Sequence, residues 1–172
     1  RALKLLKRDD IQLGVAGQGQ AVAGWTAMAK KLGLGDRAVF TGFIPNEDLP
    51  KLLNSVDFFT MPSEAELLSI ASLEAMACGK PLLLADAVAL PELVAPGVNG
   101  YLFKPSNPSD AAHHMELLAD HPEKWAEMGR ASLERVQDHS IEKTVSRYEA
   151  LYRQAVSGKP VVEPAKQFTA DD

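Results

Sequence analysis

A chain of 172 residues is long enough for one ordinary domain that buries about two thirds of its unfolded surface. With 46% apolar, 24% charged and 6% aromatic residues it is not a largely disordered chain, and a net charge of -5 (18 Lys+Arg against 23 Asp+Glu) excludes the polycationic surface of a phosphate-tracking nucleic-acid binder. One cysteine excludes an internal disulfide, no apolar run approaches the roughly 18 residues of a membrane span, and no charged-then-apolar leader opens the sequence, so a cytoplasmic location is expected.

In chain order, Arg1 to Leu6 reads as the end of an amphipathic helix with no cap or strand before it. In a doubly wound sheet the strand before such a helix is central, so the first strand of the sheet is expected to be missing from this sequence. Asp9-Asp10 reads as an ordinary loop before a strand at Ile11 to Ala16. A helix over Gln20 to Leu32 follows, with Trp25 as a core anchor and Lys30-Lys31 complementing the dipole at its end. Strands at Ala38 to Thr41, Val56 to Met61 and Pro81 to Ala85, and a weaker one at Tyr101 to Phe103, alternate with helices at about Asn46 to Asn54, Ser69 to Ala77 and Pro91 to Ala95. The nearly continuous apolar runs are those of buried parallel strands, and Gly33, Gly79 and Gly97 are expected C-terminal stops.

After Asp110 the pattern is helical only. Ser109-Asp110 is expected to cap Ala111 to Ala119, Pro122 to open a helix to about Gln137 with Trp125 as an anchor, and Ser140 to cap Ile141 to Val156. The expectation is an α/β fold: a Rossmann-like three-layer domain over residues 1–156 with a mainly parallel sheet and C-terminal helices, followed by a flexible tail at 157–172.

Two segments carry chemistry. In Val15-Ala16-Gly17-Gln18-Gly19-Gln20, Gly17 and Gly19 let backbone approach a ligand and aim helix N–H groups at an anion. The full dinucleotide fingerprint needs a third glycine where Val22 stands, so a tight turn without ligand competes on equal terms. In Met61 to Pro81 a strand end meets a helix start through an acidic loop, at the carboxyl edge where open α/β sheets bind ligands. The helix begins at Ser69 or Ile70, and its unpaired N–H groups offer a phosphate site. Glu66 just before that terminus and Glu74 inside the helix bracket it, which suits a phosphate flanked by two hydroxyl-rich groups, as in a nucleotide sugar. Glu64 and Glu66 also fit a surface helix start that merely favours the dipole. Glu74, set in Leu73-Glu74-Ala75-Met76-Ala77, is costly to bury without a partner and is therefore the stronger functional candidate.

His113, His114, His121 and His139 lack ligand spacing, so no metal site is expected, and Cys78 reads as packing material.

Glu66, seven residues, Glu74 and then Ala-Met-Ala-Cys-Gly-Lys-Pro resembles the Glu-x7-Glu signature of the family 4 retaining glycosyltransferases, the glycosyl transferases group 1 domain. The likeness extends over about Arg1 to Val156, through Gly17-Gln18-Gly19, Phe40-Thr41-Gly42-Phe43-Ile44-Pro45, Leu90-Pro91-Glu92-Leu93-Val94 and Gly97-Val98-Asn99-Gly100. The resemblance implies the C-terminal, donor-binding half of a two-domain GT-B enzyme. Glu66 would act as the catalytic carboxylate beside the donor sugar and Glu74 would accept from the ribose. Backbone at Leu68, Ser69 and Ile70 would meet the diphosphate, and Phe43 and Ile44 would border the nucleobase. No metal or other cofactor is implied; the nucleoside-diphosphate sugar is a substrate. The partner would be an N-terminal acceptor-binding domain, expected to be absent here, as are the family's phosphate-binding Arg and Lys, which precede the segment matching Arg1-Ala2-Leu3-Lys4. By itself the chain is therefore expected to be inactive. Where the family often has Glu-Gly-Phe-Gly, this chain has Glu66-Leu67-Leu68-Ser69, a variant that points toward glycolipid or cell-envelope glycan acceptors and peripheral membrane association of the full-length enzyme. Two rival functions are an isolated nucleotide-sugar-binding module and a GT-B-like sugar-nucleotide epimerase.

Overall fold

Strand pairing in the computed structural model, which describes residues 1–158, is parallel throughout. β1 (Leu13–Ala16) pairs with β2 (Ala38–Gly42), and β3 (Phe59–Met61), β4 (Leu82–Ala85) and β5 (Gly100–Phe103) form a second sheet in that order. The mainly parallel α/β fold expected from the apolar runs is therefore present, as two sheets rather than one. α1 (Ala2–Leu5) precedes the first of these strands.

The residues from Arg1 to Val136 form one compact unit. At its centre is β4, where Leu82, Leu83, Leu84 and Ala85 are all 0% exposed. Successive strand side chains point to opposite faces, so both faces of β4 are covered, which is why its sequence is continuously apolar. α4 (Ile70–Ala77) packs on β3 and β4, with α6 (Trp125–Val136) against it, and α5 (Pro108–Ala119) packs on β5 and α1. α6 approaches the end of α4 closely: a methyl on Gly129 would stand 2.1 Å from the Gly79 carbonyl oxygen, and the Ser132 hydroxyl donates to the Lys80 carbonyl at 2.8 Å. Gly79 has φ +67, the stop expected of it.

Several boundaries differ from the sequence expectation, each for a visible reason. β3 starts at Phe59 rather than Val56, because the Lys80 ammonium takes the Val56 carbonyl (2.9 Å) and ladder pairing begins only where Phe59 N–H donates to the Pro81 carbonyl (2.9 Å). The expected helix Pro91 to Ala95 is a 3-10 turn, Leu90–Leu93. Buried Asn99 ends it by accepting from Ala95 N–H (2.7 Å) and donating to the Leu93 carbonyl (3.0 Å). α5 begins at Pro108, earlier than Ala111, since Asn107 rather than Ser109-Asp110 supplies the cap, accepting from Asp110 N–H at 3.1 Å. Trp25 is not a core anchor: it is 51% exposed, and α2 (Val22–Lys31) buries none of its residues. α2 packs chiefly along β2, and a two-stranded sheet offers a helix little apolar cover. Trp125 does anchor, its indole N–H donating to the Leu118 carbonyl at 2.9 Å.

Asp9 and Asp10 are tied as a structural loop. Arg8 pairs with Asp10 (2.6 Å) and Asp120 (2.5 Å), and the guanidinium beside Asp10 holds that carboxyl down to about 2. Asp9 pairs with Arg37 (3.4 Å). Cys78 is half-buried against the core. Among the described residues no helix is long and apolar enough to cross a membrane.

The second unit begins at Gln137. Its helix α7 (Ile141–Val156) starts where expected, the Ser140 hydroxyl accepting from Lys143 N–H at 3.3 Å. Of the expected tail, Ser157 and Gly158 close α7, and 159–172 lie outside the described residues.

Candidate functional site

Because the strands of each sheet are parallel, their carboxyl ends gather the loops that lead into the following segments. At the two-stranded sheet β1 ends in Gly17, whose φ of +118 suits glycine and whose N–H donates to the Gly42 carbonyl at 2.8 Å. Neither Gly17 nor Gly19 has a foreign atom within 4 Å of where a side chain would start, so the turn is open. β2 ends beside it and delivers Phe43, 64% exposed, and half-buried Ile44.

At the three-stranded sheet β3 runs through residues 62–69 into α4. Ser69 caps the helix from a buried position, its hydroxyl accepting from Ser72 N–H (3.3 Å) and from the Ser72 hydroxyl (2.9 Å). Leu73 N–H bonds back to the Ser69 carbonyl. The remaining amides of the first turn, those of Ile70 and Ala71, have no partner among the described residues, and the helix dipole adds partial positive charge there. Replacing Ser69 by Ala removes this cap and should cost about 1–2 kcal/mol. A urea midpoint equal to the wild type would contradict that.

Glu66 precedes the cap by three residues, and Glu74 lies one turn beyond Ile70 on the same face of α4. Both are half-buried, and neither carboxylate makes a hydrogen bond or ion pair with a described residue. Glu64 differs: its Oε1 accepts from the Ser106 hydroxyl at 2.5 Å. The Glu66 main chain is fixed at its carbonyl, which accepts from Ala89 N–H at 3.3 Å. Leu67 and Leu68 project beside it, 84% and 53% exposed.

Glu66, Leu68, Ser69, Ile70 and Glu74 thus share one loop and helix start, while Gly17, Gly19, Phe43 and Ile44 share the end of the other sheet. Ser106 and Ala89 were beyond sequence reasoning, since they reach the loop across 42 and 23 residues; Ser72 was not singled out either, although its three-residue spacing to Ser69 is a signal that could have found it. Among the described residues no group of three or more His, Cys, Asp or Glu is placed to hold a metal ion.

The sequence model of the family described as glycosyl transferases group 1 matches residues 1–135. The D-inositol 3-phosphate glycosyltransferase of Segniliparus rotundus is 32% identical over 143 residues, 83% of this chain and 32% of that protein. HepE of Anabaena, solved in complex with UDP-glucose, is 26% identical with a TM-score of 0.76, over 91% of this chain and 43% of that one. The C-terminal domain of a glycosyl transferase group 1 family protein from Francisella tularensis shares the fold, with a TM-score of 0.70 at 23% identity over 81% of this chain and 75% of that one. The chain spans 22% to 39% of the length of the curated relatives it matches. With a Rossmann-like parallel fold, a helix start between two unpaired carboxylates, and a family model matched over most of its length, the chain belongs to the glycosyl transferases group 1 family.

Proposed function

We propose that this unit is the donor-binding half of a retaining glycosyltransferase that takes a sugar from a nucleoside diphosphate. The observation that carries it is the pair of half-buried, unpartnered carboxylates Glu66 and Glu74 on either side of the free Ile70 and Ala71 amides. Charged groups taken out of water without a partner are costly and are kept where a ligand completes them. The complexes of HepE with UDP, and with UDP-glucose, support a nucleotide sugar as that ligand.

In this assignment the diphosphate meets the amides at the start of α4 and Glu74 accepts from the ribose hydroxyls. Glu66 faces the sugar, and the open turn at Gly17 and Gly19 with Phe43 and Ile44 receives the nucleobase side. As the glycosidic bond breaks, negative charge grows on the diphosphate, and preoriented amides at a helix start stabilise it most in the transition state. Positive character develops on the sugar, opposite the Glu66 carboxylate. No metal is required by these residues. The acceptor, lipid or cell-envelope glycan, would be bound by an N-terminal domain of the longer, cytoplasmic enzyme, and the chain without it is expected to show no turnover.

The test is titration calorimetry with UDP-, GDP- and ADP-glucose. One of them should bind, and Glu74→Ala should weaken the corresponding nucleoside diphosphate about tenfold or more, the size of one charge-assisted hydrogen bond. Equal affinity in the variant would remove Glu74 from the site.

A further inference from the structure

Among the described residues only two that are not glycine have left-handed backbone, Val88 (φ 51°) and Ser106 (φ 54°). Such a conformation is uncommon for serine and an outlier for a β-branched valine, and it persists only where surrounding contacts impose it. The two share a location. Val88 follows β4 and Ser106 follows β5, both at carboxyl ends of the three-stranded sheet. Each sits in a segment that grips the 62–69 loop: Ala89 N–H donates to the Glu66 carbonyl at 3.3 Å, and the Ser106 hydroxyl to the Glu64 carboxylate at 2.5 Å. The loop is thus held at residues 64 and 66, immediately before the exposed Leu67 and Leu68.

Ser106 is itself held. Lys104 N–H donates to Asp110 Oδ2 (2.7 Å), Asn107 N–H to the Lys104 carbonyl (3.2 Å), and Asn107 caps α5. Its hydroxyl stands at the tip of a turn rooted in the first turn of α5. Glycine would adopt this backbone without strain, but glycine has no hydroxyl to donate. The bond is an O–H to a carboxylate, a charge-assisted kind, made between two exposed side chains, so it acts on where the loop sits more than on global stability.

We propose that Ser106, acting through Glu64, is a positioning residue that fixes the 62–69 loop so that the Glu66 carboxylate and the Ile70 and Ala71 amides hold their mutual geometry before the donor arrives. This role rests on the donor-site reading above. Strain in a serine turn is exchanged for a preorganised loop, and preorganisation appears as affinity because less ordering remains to be done on binding.

The experiment compares the full chain with Ser106→Gly, Ser106→Asn, Glu64→Ala and the Ser106→Gly/Glu64→Ala pair, by melting temperature, titration with UDP-, GDP- and ADP-glucose, and hydrogen exchange over residues 63–69. Ser106→Gly should melt at or above the wild type, since glycine relieves the left-handed backbone. It should nevertheless bind sugar nucleotide about three- to tenfold more weakly and exchange faster in the loop, as expected for one lost hydrogen bond. Glu64→Ala should give the same loss and the pair no more than either alone. Ser106→Asn, which tolerates the backbone and keeps an N–H donor, should recover affinity. Wild-type affinity and exchange in Ser106→Gly, or additive losses in the pair, overturn the positioning role while leaving the donor site standing. A wild-type chain that binds none of the three sugar nucleotides overturns both.

Discussion

Glu66→Gln in the full-length enzyme should lower kcat by about a hundredfold or more, with a much smaller change in KM. The amide keeps the size of the carboxylate and one accepting oxygen, so donor sugar binding in the ground state is largely preserved. In the proposed assignment it loses the charge that would face the positive character developing on the sugar ring. That interaction exists mainly in the transition state, so its loss falls on kcat. The 62–69 loop stays in place, because the structure holds it through the Glu66 carbonyl and through Glu64, neither of which the substitution alters. Release of nucleoside diphosphate from the sugar nucleotide that binds, followed with and without acceptor, reads the effect. Turnover within about threefold of the wild type would remove Glu66 from the chemistry.

The largest structural effect is expected at Gly100. A Cβ there would lie 2.0 Å from the Leu82 carbonyl oxygen, 2.7 Å from its carbon and 2.8 Å from its nitrogen. All three atoms belong to the backbone of fully buried β4, which cannot give way as a flexible side chain would. Gly100 is also the residue where β5 begins to pair with β4, opposite Leu82. Gly100→Ala must therefore shift the β4 and β5 backbones apart or fail to fold, at a cost of about 3 kcal/mol or more, a drop in Tm of roughly 10 °C. Thermal unfolding followed by circular dichroism measures it. A variant melting within about 2 °C of the wild type would mean that the β4–β5 contact is looser than the structure has it.

What the sequence made legible follows from locality. The strands and the start of α4 at Ser69 or Ile70 are written in short-range patterns, most clearly the fully apolar run at 82–85, and they lie within a few residues of where those patterns put them. Trp25 shows the limit. Its helical spacing is that of a core face, but exposure depends on what lies opposite, and no pattern within α2 records that it packs chiefly along β2. The 3-10 turn at Leu90–Leu93 is another case, because the side chain that ends it, Asn99, comes later in the chain. In the site, Glu66 and Glu74 were legible because one loop and one helix carry both. The contacts that hold the 62–69 loop, from Ala89 to Glu66 and from Ser106 to Glu64, were not, since they depend on the order of β3, β4 and β5 across the sheet.

The most direct test of the proposed donor site is a crystal structure of the protein with whichever of UDP-, GDP- and ADP-glucose it binds. Diphosphate oxygens within about 3 Å of the Ile70 and Ala71 nitrogens, with Glu74 on the ribose and Glu66 toward the glucose, are the predicted result. Diphosphate bound away from the start of α4, or Glu66 turned from the sugar, would contradict it.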